Sequence, residues 1–311
     1  MFGGEKINQI RDCYKMSKIK NTLPWERDQT LMDKLIAVIA FTAIKLLLLL
    51  PYRTRIKLSG WVFSKILGPV TGRAKVAKEQ IQLIFPKKTP EECSVIAEKS
   101  LNNTGRSLIE NFSPKHFVNN PLVEIKGPGF EIIKSAITSR TPVILATGHF
   151  GNYEAPRNAL LKSGLETGGL YRPMNNKAFN KIYTQAMQES GEPIFPRGNQ
   201  GTRSMIKHIK EGGRTIILFD QKMREGEVLD FLDQPSKTIL SPAELALKFK
   251  AYLIPFFGIR NEDGFSFTAL FEEPIDHTNS KTMSQQLNDR LSEHICHNPG
   301  QWFWIHRRWK N

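Results

Sequence analysis

The strongest signal for the fold of this chain is an apolar run followed by a glycine-flanked histidine. Val143 to Ala146 are apolar and rich in β-branched side chains, which predicts a buried strand. The Gly-His-Phe-Gly-Asn sequence at residues 148–152 predicts a turn at the carboxyl end of that strand. Strand-like and helix-like patterns alternate from Val123 onward, which favours an α/β fold. We expect a mixed, mostly parallel sheet flanked by helices.

Seven segments have the composition and length of strands in such a sheet. We place these strands at residues 122–126, 142–147, 166–171, 193–196, 214–219, 252–259 and 264–271. The segment 58–115 instead has helical periodicity, and Thr89-Pro-Glu-Glu within it has the form of a helix start with proline at the first position. No internal repeat or low-complexity linker interrupts the strand-rich part, which predicts one unit.

His149 and Glu154 are the first candidates for chemistry. On one continuous helix, a spacing of five residues would put them roughly 140° apart, but a strand-to-helix turn can fold the carboxylate back onto the imidazole. A carboxylate on one ring nitrogen fixes the tautomer and raises the basicity of the other nitrogen, as a general base requires. The alternative is a histidine satisfied within its turn and a glutamate favoured by the helix dipole.

The chain is strongly basic, and this limits the partners to consider. Its 44 Lys and Arg residues against 30 Asp and Glu give a formal charge of +14 and a pI near 9.7, so an anionic partner is expected. Nucleic acid, phospholipid and an acidic carrier protein all meet that requirement. The three dispersed cysteines, Cys13, Cys93 and Cys296, fit neither a disulfide framework nor a zinc module.

A second apolar run, residues 35–50, predicts a membrane-anchoring helix. As a helix it covers about 24 Å, less than the roughly 30 Å of a bilayer's hydrocarbon core, and Trp25 and Tyr52 flank it as interfacial aromatics. Basic residues follow the run, which predicts a cytoplasmic location for the body of the protein. The alternative is a buried core helix. We divide the chain into an N-terminal arm with its anchor helix (1–57) and an α/β domain (58–311) with a helical lead-in (58–115).

Candidate anion ligands follow three other predicted strands. Arg172 stands in Tyr-Arg-Pro, Arg197 in Phe-Pro-Arg-Gly, and Asp220-Gln221 at the end of a buried strand. Guanidinium groups bind phosphates and carboxylates through paired hydrogen bonds. We expect Asp220 to orient Arg172 or Arg197 through a charge-assisted pair. The alternatives are surface arginines and an aspartate that starts a turn.

The C-terminal tail combines aromatic and basic residues. If the tail is extended, Trp302, Trp304, His306 and Arg308 share one face. Aromatic side chains beside arginines suit a surface at the level of lipid headgroups. They also suit a strand that places its tryptophans in the core, and we favour that interpretation for the tryptophans.

Taken in order, these motifs resemble the lipid A biosynthesis (lauroyl/myristoyl) acyltransferase family. The resemblance rests on Gly-His-Phe-Gly-Asn-Tyr-Glu, on Tyr-Arg-Pro with an Asn pair, on the strand-end Asp-Gln, and on Gln-Trp-x-Trp-x-His-Arg-Arg. It implies a glycerolipid-acyltransferase-like fold. Many relatives carry an arginine in the helix after Tyr-Arg-Pro, and here residues 175–190 contain none.

The resemblance implies a late acyltransferase of lipid A biosynthesis, anchored at the bacterial inner membrane with its catalytic domain on the cytoplasmic face. The donor would be acyl carrier protein, and the acceptor a hydroxyl of a 3-hydroxyacyl chain on a phosphorylated, Kdo-bearing lipid A precursor. His149 would be the general base with Glu154 as its partner. The substrate-binding residues would be Arg172, Arg197, Asp220 and Gln221. No metal, no other cofactor and no nucleic acid are expected.

Two rival functions remain open from the sequence. A glycerolipid (lysophosphatidate-type) acyltransferase would use the same base on a glycerol phosphate acceptor, although its Phe-Pro-Glu-Gly-Thr-Arg-Ser motif is broken here by Arg197 and Asn199-Gln200. A non-catalytic basic membrane-associated binding protein is the other rival. Its charges would be clustered or accompanied by a nucleic-acid-binding signature, and this chain has dispersed charges.

Overall fold

The computed structural model describes residues 27–119, 122–222 and 226–309 of the chain. These residues form an α/β fold in which a seven-stranded, mostly parallel sheet has helices on both faces. The predicted fold class is therefore confirmed. Trp25, a predicted interfacial residue, lies outside the described residues.

The main sheet has the order β1-β9-β8-β2-β5-β3-β4. All neighbouring strands pair in parallel except β8 and β9, which are antiparallel. The seven segments predicted as strands all form strands of this sheet. A separate antiparallel hairpin of β6 and β7 was not predicted. The strands are β1 (Val123–Lys126), β2 (Val143–Thr147), β3 (Gly168–Tyr171), β4 (Ile194–Pro196), β5 (Arg214–Leu218), β6 (Glu227–Phe231), β7 (Gln234–Thr238), β8 (Tyr252–Arg260) and β9 (Phe267–Phe271).

Strand β2 lies at the centre of the sheet, and all five of its residues are buried. Its side chains alternate between the two faces, as they do in any strand. Ile144 and Ala146 pack into one apolar cluster, and Val143 and Leu145 pack into the other. Because both faces are covered, the strand is apolar from Val143 to Ala146.

The helices cover the two faces of the sheet and form an N-terminal layer. They are α1 (Leu31–Leu48), α2 (Tyr52–Val62), α3 (Arg73–Ile84), α4 (Pro90–Asn111), α5 (Pro114–Asn119), α6 (Gly129–Thr138), α7 (Glu154–Lys162), α8 (Lys177–Glu189), α9 (Asn199–Lys210), α10 (Ser241–Phe249) and α11 (Ser280–His297). A π-helical turn (Phe63–Leu67) and a helical turn (Gly68–Val70) continue α2. The boundary placed at residues 57 and 58 falls inside α2, and the division into an arm and a domain stays a prediction.

Helix α4 begins where its sequence predicts. The Thr89 hydroxyl accepts a hydrogen bond from the backbone N–H of Glu92, and the Glu92 carboxylate accepts one from the backbone N–H of Thr89. This capping box satisfies two amides that the first turn leaves unpaired. Pro90 occupies the first helical position, which needs no amide donor.

Helix α1 contains most of the apolar run predicted as an anchor. Its apolar side chains are largely exposed, with Leu35, Ile36, Val38 and Ile39 all 51% or more accessible. Across the described part of the chain, however, no helix is both long and apolar enough to cross a bilayer. The prediction of a transmembrane helix is therefore corrected: these 18 residues make a helix of about 27 Å that lacks the required apolar length.

The C-terminal tail does not form the strand considered from its alternation. A short 3₁₀ turn (Pro299–Gln301) leads into an irregular segment that packs against the body of the protein. Trp302 and Trp304 are fully buried within the larger apolar cluster, which confirms the prediction that the tryptophans lie in the core. Arg308 is also buried, and its guanidinium donates to Thr238 Oγ1 at 2.7 Å.

Candidate active site

The turn after β2 is built on glycines where backbone passes close to its neighbours. Gly151 adopts φ +57°, and a β-carbon there would lie 1.9 Å from the carbonyl oxygen of Gly258. A β-carbon on Gly148 would lie 2.5 Å from Leu291 and 3.1 Å from the Asp220 carboxylate. Only glycine fits the positive φ and close backbone approach at Gly151, and at Gly148 a side chain would crowd Leu291 and Asp220.

Buried polar side chains hold this turn against α4 and β8. Asn103 donates to the Gly151 carbonyl at 2.9 Å, and Asn152 donates to the Glu110 carboxylate at 2.8 Å. Glu110 is fully buried and is paired with both terminal nitrogens of Arg260, at 2.6 and 2.7 Å. Such bidentate pairs fix geometry as well as charge. The His149 turn is therefore anchored to the helical layer by an ion pair on its buried side.

The imidazole of His149 is paired with Asp220, which follows β5. Nδ1 of His149 lies 2.7 Å from Oδ1 of Asp220, and the backbone N–H of His149 donates to Oδ2 at 2.8 Å. Trp302 donates its indole N–H to the same Oδ2 at 2.8 Å. An ionised carboxylate only accepts hydrogen bonds, so Nδ1 carries the proton and the lone pair lies on Nε2.

The charge of Asp220 is stabilised although the side chain is almost completely buried. Burial alone would raise the pKa of this carboxyl, but the nearby His149 and the hydrogen bonds from His149 and Trp302 together lower it to about 2. Hydrogen bonds to the charged form and an opposite charge favour ionisation. Asp220 is therefore a carboxylate near neutral pH.

Glu154 does not contact the imidazole, and this corrects the predicted pair. Glu154 is buried at the start of α7, where its carboxylate lies 3.4 Å from the guanidinium of Arg157. Arg157 also donates to backbone carbonyls of Thr167, Met187 and Gly191. The helix begins at Glu154 itself, so its side chain points toward the α7–α8 interior while β5 brings Asp220 beside His149.

Nε2 of His149 faces Gln221, the residue after Asp220. The Gln221 amide nitrogen lies 3.2 Å from Nε2, which fits a donor because the lone pair of this tautomer is on Nε2. The rings of Tyr153 and Phe303 flank the imidazole at centroid distances of 5.6 and 5.5 Å. Burial, together with Tyr183, raises the pKa of Tyr153 well above its ordinary value, so its hydroxyl stays protonated.

The segment that carries Gln221 is held on both sides. Asp220 is fixed by the three hydrogen bonds to its carboxylate, and the backbone N–H of Lys222 donates to Nε2 of His306 at 3.2 Å. Burial lowers the pKa of His306, which keeps the acceptor nitrogen unprotonated. The backbone of Gln221 is therefore fixed while its side chain is half-buried.

Arg172 and Arg197 lie at the same edge of the sheet, but Asp220 does not orient either of them as predicted. Arg172 is exposed and donates to Asn175 at 2.8 Å, and Arg197 is exposed with its backbone N–H bonded to Tyr171. Asp220 is instead committed to His149 and Trp302. The expected charge-assisted pair is wrong because β5 lies between β2 and β3 and its terminal carboxylate points toward β2.

Four of the six candidate residues form a row along one edge of the sheet. β2, β5, β3 and β4 are adjacent and parallel, so their carboxyl ends meet at the same edge. His149, Asp220, Arg172 and Arg197 follow these strands in that order. With about 4.8 Å between strands, the row is about 14 Å long from β2 to β4. A base at one end and guanidinium groups at the other suit a hydroxyl-bearing ligand with an anionic group at some distance.

The arrangement can remove a proton from a hydroxyl that approaches Nε2. General-base catalysis requires an oriented imidazole that substrate can reach, and His149 is held by a carboxylate while its side chain is 23% exposed. Within the described ranges, no group of three or more His, Cys, Asp or Glu side chains is placed to hold a metal ion. His294 is bonded to Glu272 at 2.8 Å and belongs to the core behind the turn.

Sequence reasoning missed the roles of several residues in this site. The sequence indicates both Asp220 and His149 but not their pairing, because the adjacency of β2 and β5 cannot be read from their separation in the chain. The signal available was that both residues follow buried apolar strands. Glu110 and Arg260 gave no signal of their own, since each stands alone among many charged residues.

Comparison with known proteins identifies relatives of this chain. The family model described as bacterial lipid A biosynthesis acyltransferase matches residues 27–311. The chain is 25% identical over 262 residues to a lipid A biosynthesis acyltransferase of Haemophilus influenzae, covering 81% of each chain. It is 24% identical to the lipid A biosynthesis lauroyltransferase of Escherichia coli, covering 84% of this chain and 87% of the relative. A phosphatidylinositol mannoside acyltransferase of Mycobacterium tuberculosis is 20% identical over 58% of each chain.

Proposed function

Because this chain belongs to the bacterial lipid A biosynthesis acyltransferase family, we propose that it is a late acyltransferase of lipid A assembly. It transfers a fatty acyl chain from acyl carrier protein to a hydroxyl of a 3-hydroxyacyl chain on a Kdo-bearing lipid A precursor. The reaction is acyl transfer from a thioester to an alcohol. The main support for this proposal is the His149–Asp220 pair, whose imidazole remains 23% exposed.

The proposed mechanism uses His149 as the general base. Nε2 takes the proton of the acceptor hydroxyl while the oxygen attacks the thioester carbonyl, and no acyl-enzyme forms. Asp220 keeps the proton on Nδ1 and stabilises the imidazolium that results, which is the role of the carboxylate in a Ser-His-Asp triad. Glu154 stays in the proposal as a positioning residue: with Arg157 it fixes the start of α7, directly after the turn that carries His149.

Arg172 and Arg197 are proposed to bind the phosphorylated part of the acceptor. Both are exposed and follow strands β3 and β4, at the end of the row opposite His149. Arginine suits this task because its planar guanidinium matches a phosphate through paired hydrogen bonds. The spacing of about 10–14 Å from β2 leaves room for a sugar between phosphate and reacting hydroxyl.

Helix α1 is proposed to place the protein on the inner membrane, with the catalytic domain on the cytoplasmic side. Its exposed apolar side chains, with Leu31 84% and Met32 62% accessible, favour contact with acyl chains over contact with water. Gln29, just before α1, donates to the Asn175 carbonyl and accepts from the backbone N–H of Lys177. Membrane contact through α1 would thus bring the loop after Arg172 close to the lipid surface.

Acyl carrier protein is proposed as the donor on the basis of charge. The formal charge of +14 would attract an acidic carrier and speed its encounter with the enzyme. The same charge would also favour an anionic lipid surface. Both interactions weaken as salt concentration rises.

The test is acyl transfer by the purified full-length protein and its His149→Ala variant. The wild-type protein is expected to acylate a Kdo-bearing lipid A precursor from acyl carrier protein, with mass spectrometry of the product. A lysophosphatidate acceptor and a phosphatidylinositol mannoside acceptor are offered in parallel. Wild-type turnover by His149→Ala would overturn the mechanism, and preference for either other acceptor would overturn the substrate assignment.

A further inference from the structure

We infer that the side-chain amide of Gln221 is the oxyanion donor of this active site and caps the base when no substrate is bound. The inference rests on the proposed acyl transfer at His149 and deepens it. Its main support is the 3.2 Å contact between the Gln221 amide nitrogen and Nε2 of His149. Nε2 is the atom that must receive the substrate's proton.

The tautomer of His149 fixes which end of the Gln221 amide faces the ring. Asp220 accepts from Nδ1, so Nε2 carries a lone pair and needs a donor. The NH₂ group of Gln221 is that donor, since an amide oxygen would meet the lone pair unfavourably. Gln221 therefore presents N–H groups to the place where the acceptor hydroxyl must bind.

A substrate hydroxyl at Nε2 displaces the amide but keeps it as a neighbour. General-base transfer needs the hydroxyl oxygen about 2.6–3.2 Å from Nε2, which is the position that the Gln221 nitrogen now occupies. The backbone of Gln221 is fixed by Asp220 on one side and by Lys222 on the other. Rotation of the side chain alone moves the amide, and it stays within reach of any oxygen bonded to the carbon under attack.

Five backbone amides around the base are already committed to other acceptors. The N–H of His149 donates to the Asp220 carboxylate, and the N–H of Lys222 donates to the His306 ring. The other three donate to backbone carbonyls: Gly151 to Gln301, Asn152 to Gly258, and Phe303 to His149. None of these five is free to meet an oxyanion without breaking a bond that shapes the turn. The Gln221 amide is bonded here to the base itself, and substrate binding releases it.

Every bond, proton and electron pair of the chemical step is accounted for. The acceptor oxygen forms a bond to the thioester carbon, its proton passes to Nε2, and the carbonyl electron pair moves to oxygen. Gln221 donates a hydrogen bond to that oxyanion. On collapse the C=O bond reforms, the C–S bond breaks, and the leaving thiolate takes the proton from Nε2. The products are an ester and a free thiol.

The experiment compares Gln221→Met with wild type in the full-length enzyme. Methionine keeps the length of the side chain and removes the donor, so kcat is expected to fall between about 100-fold and 1,000-fold. The KM for each substrate should change by less than about threefold, because the lost hydrogen bond forms only in the transition state. Gln188→Met, at an exposed glutamine of α8, is the matched control and should keep wild-type kcat.

Gln221→Glu supplies a second readout that a merely structural role would not move. A carboxylate beside Nε2 favours the protonated imidazole and repels the oxyanion, so the acid limb of the kcat profile should move to higher pH while kcat falls. Wild-type kcat in Gln221→Met with an unmoved pH profile in Gln221→Glu would overturn the inference. The His149→Ala variant separates this failure from failure of the proposed function. An inactive His149→Ala leaves the proposed function standing without the Gln221 role, and an active His149→Ala overturns the proposed function itself.

Discussion

The change of Asp220 to asparagine is the sharpest test of how this site works. Oδ2 of Asp220 accepts from two N–H groups, those of the His149 backbone and the Trp302 indole. The asparagine oxygen must take that position, so its NH₂ group faces Nδ1 of His149. Nδ1 then becomes an acceptor and the ring proton moves to Nε2, where the lone pair is needed. The side chain keeps its shape, but the base is in the wrong tautomer.

The expected loss in kcat is large compared with the loss in stability. An amide in place of the carboxylate of a Ser-His-Asp triad lowers kcat on the order of 10⁴-fold, or about 5 kcal/mol of activation free energy. The pKa of Asp220 is lowered from 3.8 to about 2, so the folded state favours the carboxylate by roughly 2 kcal/mol. The Tm of Asp220→Asn should therefore fall by only a few degrees.

The assay is steady-state acyl transfer by purified Asp220→Asn, with thermal unfolding measured on the same sample. A kcat within tenfold of wild type, in a folded protein, would refute the assignment of Asp220 as the carboxylate that orients His149. Trp302→Phe is the matched comparison, since it removes one donor to Oδ2 and leaves the carboxylate on Nδ1. It should lose much less activity than Asp220→Asn.

Three further predictions concern stability and membrane contact. Glu154→Gln removes the charge opposite buried Arg157, so the free energy of unfolding should fall by about 3 kcal/mol; chemical denaturation that shows no change would contradict the pair's importance. Because the folded pKa of Asp220 lies below its unfolded value, its contribution to stability is present above about pH 4 and is lost as the pH falls through 2. Acid unfolding of Asp220→Asn should accordingly depend less steeply on pH in that window. Leu35→Glu with Ile39→Glu, both on the exposed face of α1, should reduce sedimentation with anionic vesicles at least tenfold; unchanged binding would exclude α1 as the contact.

The composition of the strands explains why the sheet could be predicted. The first four residues of β2 are all apolar because both faces of the strand are covered, and such runs are recognisable without knowing their neighbours. The β6–β7 hairpin was missed because Glu227, Asp230, Gln234 and Lys237 make its sequence polar. It is a small hairpin outside the main sheet, so its strands lack an apolar run.

The sequence predicted which residues follow the strands and can lie at the site, but not which of them pair with each other. His149 and Asp220 each follow a buried apolar segment, and the parallel sheet brings such ends to one edge. Which carboxylate meets the imidazole depended on the order of the strands. Glu154 is five residues from His149 and Asp220 is 71 residues away, yet the closer residue in sequence turned into α7 toward Arg157.

The α/β class, the seven strands of the main sheet and the candidates His149, Asp220 and Gln221 could all be recognised in the sequence alone. These follow from local composition, because burial on both faces demands continuous apolar runs and tight turns demand glycine. The three-dimensional structure was needed to show that β5 lies beside β2, and therefore that Asp220 pairs with His149 and that Gln221 faces Nε2 of the imidazole. Pairing between distant strands depends on how the whole sheet packs, and no local pattern of residues carries that information.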